Sequence, residues 1–271
     1  VPRLVALLAA VALGGCAYLG VVGDGTSLAW GPPDEGALVD GRRLPTEGDG
    51  FVVPSRWRLR GAQYGTDELV GLITHAGHLV ATRSVGDRIG VADLSIGGGG
   101  RSSYHRSHQT GRDADLLFMV RDTRGQAVEL TEMRHFGADG GTVDAGPRLF
   151  FDPVRTWIVV RALLEAPGPG VKHLFIYAPL RDQLLDHARA IGEPDSLVAW
   201  AGAVLSQPGD SAPHDDHLHV RIYCPEGDST CVDFGARNPR KKSVRRPEAA
   251  LARAVAARPI VGTPWFYLRR W

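Results

Sequence analysis

Residues 217–223 read His-Leu-His-Val-Arg-Ile-Tyr, seven positions of unbroken polar and apolar alternation. Side chains on a strand point to opposite faces in turn. His217, His219 and Arg221 therefore share one face, and Leu218, Val220 and Ile222 share the other. Such a segment must lay its apolar face on a core, which leaves two histidines side by side above a rigid support.

Five of the ten histidines fall in two short clusters, His105 to Asp115 and His214 to His219. Two dense His/Asp clusters ask for a shared cause, and zinc supplies one. A catalytic zinc takes three nitrogen or oxygen ligands and keeps a fourth position for water, whose pKa falls to about 7. His108 precedes a turn, Gln109-Thr110-Gly111, and Asp115 lies within an apolar strand predicted over 113–120. The six residues between them let His108 fold back over that strand. A carboxylate among Leu116, Leu117 and Phe118 is costly unless a cation accompanies it. Asp113 shares the strand face of Asp115 and competes with it as a ligand. His105 reads as a surface residue or as a partner behind the ligands. His214 lies in a loop after Pro213. Asp215 and Asp216 read as loop charges or as acceptors behind a ligating histidine. His75, His78, His135, His173 and His187 are scattered and read as structural.

Rival chemistries find little support. No Gly-x-Ser-x-Gly stands on a fitting strand-turn-helix, and the helical His-Glu-x-x-His is missing. Gly97 to Gly100 is not followed by the Lys-Ser/Thr of a phosphate loop.

The remaining pattern is mixed. Helices are predicted over 66–76, 153–164, 180–190 and 197–205, with Asp152 capping the second and Pro153 in its first turn. Strands are predicted over 78–85, 113–120, 172–177 and 217–223, with a long irregular insertion over 121–147. Helices and strands do not alternate strictly, so the expected class is α+β.

The ends differ from the middle. Arg3 followed by the apolar run Leu4–Leu13 is a signal-peptide pattern over 1–15, and Leu13-Gly14-Gly15-Cys16 resembles a lipobox that would acylate Cys16. Residues 16–50, rich in Gly, Pro and Asp, predict a flexible tether. The catalytic domain is expected over 51–235 and a basic extension over 236–271. Cys224 and Cys231 form an even pair in an exported chain, which predicts a disulfide. With 31 basic and 30 acidic residues there is no surplus to neutralise phosphates, so nucleic acid is not an expected partner.

Ser107-His108-Gln109-Thr110-Gly111-Arg112-Asp113-Ala114-Asp115 resembles the His-x6-Asp motif of the penicillin-insensitive murein endopeptidases. His217-Leu218-His219-Val220-Arg221 with Cys224-Pro225 resembles their His-x-His strand. The resemblance spans about residues 55–235 and places the chain near the D-Ala-D-Ala metallopeptidases, the lysostaphin-type peptidases and the hedgehog domain. It implies a small antiparallel sheet flanked by helices, zinc held by His108, Asp115 and His219, and chemistry at His217 and His214. His105, Asp113 and Asp216 would stand behind these groups. The implied reaction is hydrolysis of peptidoglycan cross-links of D-alanyl to meso-diaminopimelate type by metal-bound water. One zinc is expected, because the Asp-x-x-His of some members is matched only by Asp139-Gly140-Gly141-Thr142. With the acylated Cys16, the expected location is the periplasm, anchored to a bacterial membrane, with the outer membrane favoured. The alternatives within the same group are a zinc carboxypeptidase acting on stem peptides and a non-catalytic wall-binding lipoprotein.

Overall fold

The alternation of residues 217–223 is realised as a strand at the centre of a four-stranded sheet. A computed structural model describes residues 25–209 and 211–234. The sheet contains β1 (Asp113–Leu117), β2 (Val171–Phe175), β3 (Leu205–Ser206) and β4 (His217–Ile222), in the spatial order β3-β2-β4-β1. β4 runs antiparallel to both β2 and β1, and only β3 is parallel to its neighbour. Leu218, Val220 and Ile222 are buried on the core face, joined by Ala114, Leu116 and Leu174. The opposite face carries the histidines.

Helices cover the core. α1 (Asp67–Arg83) opens on Thr66, whose side chain accepts from the Leu69 amide. Asp67 and Glu68 in its first turn and Arg83 in its last complement the helix dipole. Its Leu69, Leu72, Ile73, Ala76 and Val80 recur at helical spacing and are buried. α2 (Pro153–Glu165) is capped by Asp152, which accepts from Val154 and Arg155, as the sequence predicts. α3 (Ala178–Ala190) and α4 (Asp195–Val204) follow, and α4 runs directly into β3. α1 packs on α2, and α2 on α3. With a mostly antiparallel sheet and helices gathered against it, the fold is α+β, as expected.

Two expectations are corrected. Residues 78–85 are not a strand: α1 continues through them to Arg83, because Leu79 and Val80 extend the apolar stripe begun at Leu69. The tether predicted over 16–50 does not hold for 25–50. Leu28–Trp30 pairs with Ala37–Val39, and Ala29, Leu38 and Leu44 are fully buried. Buried side chains outweigh the Gly/Pro-rich composition here. The signal and lipobox residues, Cys16 included, and the basic extension lie outside the described residues.

The predicted disulfide is present, joining Cys224 to Cys231. Its loop ties the segment after β4 to the N-terminal hairpin. Asp228 accepts from the Ala29 amide at 2.7 Å, and Gly31 donates to the Thr230 carbonyl at 3.0 Å. Among the described residues no helix is long and apolar enough to cross a membrane.

Candidate metal centre

Residues from both clusters meet on the outward face of β1 and β4. The ladder register sets Asp115 opposite His219, Asp113 opposite Arg221 and Leu117 opposite His217. The loop 105–112 then folds back over β1. His108 sits at φ +68°, a left-handed conformation that a non-glycine residue holds only when its surroundings impose it. Gly111, at φ +72°, turns the chain into β1. A Cβ there would press within 2.9 Å of the Thr66 amide nitrogen, so the close approach requires glycine.

Three potential ligand atoms converge. His219 Nδ1 lies 2.9 Å from Asp115 Oδ1, His108 Nε2 lies 3.3 Å from the same oxygen, and the two imidazole nitrogens are 3.3 Å apart. A tetrahedral zinc with bonds of about 2.0–2.1 Å sets its ligand atoms about 3.3 Å from one another. The far nitrogen of each ring is already engaged. His108 Nδ1 donates to the Leu94 carbonyl at 3.2 Å, and His219 Nε2 donates to Asp113 Oδ1 at 2.9 Å. Each ring thus turns a lone pair toward the other and toward a carboxylate, an arrangement that calls for a cation.

All three residues are buried, at 0–4 % exposure. Asp115 Oδ2 has no hydrogen-bond partner. A buried carboxylate with an unsatisfied oxygen is costly, so the residues present fit a divalent cation. The donor set of two imidazoles and one carboxylate suits zinc. Asp113, weighed in the sequence as a rival ligand, instead faces the back of His219 and accepts from Arg221 Nε at 2.6 Å.

The other site candidates surround this core. His217 Nε2 stands 3.3 Å from Asp115 Oδ1, and its Nδ1 donates to Asp216 Oδ1 at 2.6 Å. His214, at φ +56°, donates from Nδ1 to the Ala212 carbonyl at 2.8 Å, its ring 5.0 Å from that of His217. His105 stacks on His108 at 4.4 Å and reaches Asp93 Oδ2 at 2.9 Å. A cleft of about 610 Å³ bounded by Asp34, Arg101, His105 and Gln109 opens on that side.

Burial alone would raise the Asp115 carboxyl, but His108 and His217 outweigh it and hold it well below the usual range. Burial opposes protonation of His217 as well, yet Asp115 and Asp216 push it up to about 10. His219 is raised despite burial by Asp113 and Asp115. For His214, burial with the nearby His217 and His219 outweighs the pull of Asp115 and lowers it to about 4. The charge pattern that draws protons onto His217 and His219 would equally draw a metal cation.

Several contributors escape sequence reasoning. Asp93 is fully buried, bonds both His105 and Arg60, and sits on a segment whose backbone pairs with Asp115. Phe175 stacks on His219 at 5.5 Å. His135, read as structural, bonds Asp215 at 2.9 Å beside the Asp216–His217 pair. These three positions lie in segments with no His/Asp density, so the only available signal is three-dimensional. Asp139 pairs with Arg148 at 3.2 Å.

The family described as penicillin-insensitive murein endopeptidase matches residues 29–243. A penicillin-insensitive murein endopeptidase of Klebsiella pneumoniae is 26% identical over 213 residues, covering 77% of this chain and 71% of the relative. One from Haemophilus influenzae is 25% identical over 214 residues, with coverage of 77% and 68%. One from Salmonella heidelberg is 26% identical over 200 residues, covering 73% and 67%. The family match takes in both strands of the site and the loop that carries His108, and the chain belongs to the penicillin-insensitive murein endopeptidase family.

Proposed function

We propose that the chain hydrolyses peptide cross-links of peptidoglycan, of D-alanyl to meso-diaminopimelate type, at one zinc ion held by His108, Asp115 and His219. The observation that carries this reading is the convergence of His108 Nε2, Asp115 Oδ1 and His219 Nδ1 within 2.9–3.3 Å of one another. Bound there, zinc would polarise a scissile carbonyl and lower the pKa of a water to about 7.

The chain's own residues supply the rest. Asp216 holds the Nδ1–H of His217, and Nε2 faces Asp115 Oδ1 at 3.3 Å. The two carboxylates keep His217 protonated in the metal-free protein. With the charge of Asp115 taken up by a bound cation, Nε2 would be released to take the proton of the attacking water and deliver it to the departing amine. His214 commits Nδ1–H to Ala212, so the neutral ring offers Nε2 as an acceptor. It stabilises developing negative charge only when protonated there, and otherwise accepts a hydrogen bond from the substrate. The cleft beside His105 gives the peptide room on one side.

The same proposal includes acylation of Cys16 and a periplasmic, membrane-anchored location, supported by the lipobox-like Leu13-Gly14-Gly15-Cys16. Digestion of purified cross-linked muropeptides, with and without a chelator and with products identified by mass, tests the activity. Chelator-sensitive conversion of dimers to monomers is expected. Removal of terminal D-alanine alone would point to a carboxypeptidase, and no conversion to a wall-binding role.

A further inference from the structure

We infer that Asp113 and Arg221 act as a positioning pair that fixes which nitrogen of His219 is free to bind the metal. The inference rests on the metal-site reading above. The two residues are direct partners in the β1–β4 ladder, and Arg221 Nε donates to Asp113 Oδ1 at 2.6 Å. The same oxygen lies 2.9 Å from His219 Nε2. Asp113 is fully buried, and its Oδ2 has no hydrogen-bond partner.

A carboxylate buried at this cost must be doing something that a neutral side chain would not. An ionised carboxylate only accepts hydrogen bonds. It can engage His219 only when Nε2 carries the hydrogen, and the lone pair is then on Nδ1. Nδ1 is the nitrogen that faces Asp115 at 2.9 Å and His108 at 3.3 Å. The other tautomer would point an N–H into the ligand cluster and block it. Arg221 donates to the same oxygen, and so holds Oδ1 of the carboxylate against the imidazole. Asp113 and Arg221 thus touch neither metal nor substrate, and act through His219.

The test is zinc affinity of the purified full-length protein, measured by competition with a chromogenic chelator, together with ¹⁵N shifts of the His219 ring. Asp113→Asn keeps the shape, but its amide can donate to Nε2 and favour the wrong tautomer. Zinc affinity should fall by about 10–100-fold, and metal-free Asp113→Asn should show a lowered Nε2–H population at His219. Arg221→Met should weaken zinc in the same direction by less, and the double variant should be no worse than Asp113→Asn alone. If Asp113→Asn fails to fold, Arg221→Met carries the test through affinity and tautomer. Wild-type affinity within threefold in a folded variant, or an unchanged tautomer, overturns the pair. A wild-type protein that binds no zinc overturns the metal reading and this inference with it, whereas equal zinc binding by wild type and variant overturns this inference alone.

Discussion

His219 and Asp115 stand directly opposite each other in the β1–β4 ladder, and their side chains meet on one face with Nδ1 2.9 Å from Oδ1. Cross-strand partners of this kind are fixed by register, and register cannot slip where the opposite face is buried. Leu116, Leu218, Val220 and Ile222 supply that buried face. The core therefore sets the geometry of the candidate metal centre, and His108 is the one proposed ligand brought in by a loop.

Removing Asp115 should remove the metal. Asp115→Ala takes away the oxygen common to His108, His217 and His219. Zinc affinity should fall by more than the about 100-fold that marks loss of an outer partner, and activity should vanish with it. Metal analysis after dialysis checks this. Stoichiometric zinc in an inactive Asp115→Ala protein would take Asp115 out of the ligand set.

Removing His217 should separate binding from chemistry. His217→Ala deletes the base but none of the three converging ligand atoms, so zinc should remain at one per chain. The turnover number should drop by about 10²–10⁴-fold, the usual contribution of a positioned acid-base group. Muropeptide turnover and metal content measured on the same sample decide it. Full activity with zinc bound would assign the proton transfer elsewhere.

The proposed ligand His219, its neighbour His217 and their apolar support are legible in residues 217–223, because a period of two assigns each side chain a face without knowledge of the fold. The strand period alone does not choose between Asp113 and Asp115, since both lie on one face; the resemblance of the His108 to Asp115 motif favours Asp115. Long-range pairing supplies the physical reason, by setting Asp115 opposite His219 and Asp113 opposite Arg221. Asp93 and the Leu94 carbonyl are hidden for a related reason. They reach the site from a segment that runs beside β1, where Asp115 donates to Asp93 and Ala92 donates to Asp115. Composition misleads over 25–50, where Gly and Pro suggest a tether. Yet Gln109, next to His108, donates from its backbone to Pro33 and from its side chain to Asp34. The N-terminal segment buttresses the ligand loop, and nothing local in its sequence announces that.

The disulfide should matter for stability more than for chemistry. Closing a short loop between Cys224 and Cys231 restricts the unfolded chain, which in the chain-entropy description stabilises by about 2–3 kcal/mol. The loop also carries the Asp228 and Thr230 contacts to the N-terminal hairpin. The Cys224→Ser/Cys231→Ser double variant should unfold at lower denaturant while binding zinc normally once folded. An unchanged unfolding midpoint against the oxidised wild type would show that the loop is held by its other contacts, such as Asp228 with Ala29 and the Cys224 amide with Asp233.

Acid should weaken the junction between α1 and α2. Arg155, in the first turn of α2, donates through Nε to Asp87 Oδ2 at 2.8 Å, through Nη2 to Asp87 Oδ1, and through Nη1 to the Val120 carbonyl at 2.8 Å. Burial alone would raise the Asp87 carboxyl, but its hydrogen bonds with Arg155 and Ser84 prevail and lower it. A carboxyl depressed in the folded state stabilises fully above its unfolded pKa of about 3.9. That contribution declines as pH falls below this value and is gone below the folded pKa. Asp87→Asn should therefore cost about 1.5–3 kcal/mol at pH 7, the range for a hydrogen bond to a charged partner. The gap between variant and wild type should close as pH drops below about 4. Denaturant unfolding of both proteins at pH 7, 5, 4 and 3 measures it. A gap that stays constant across that series would mean that Asp87 holds Arg155 by shape rather than by charge.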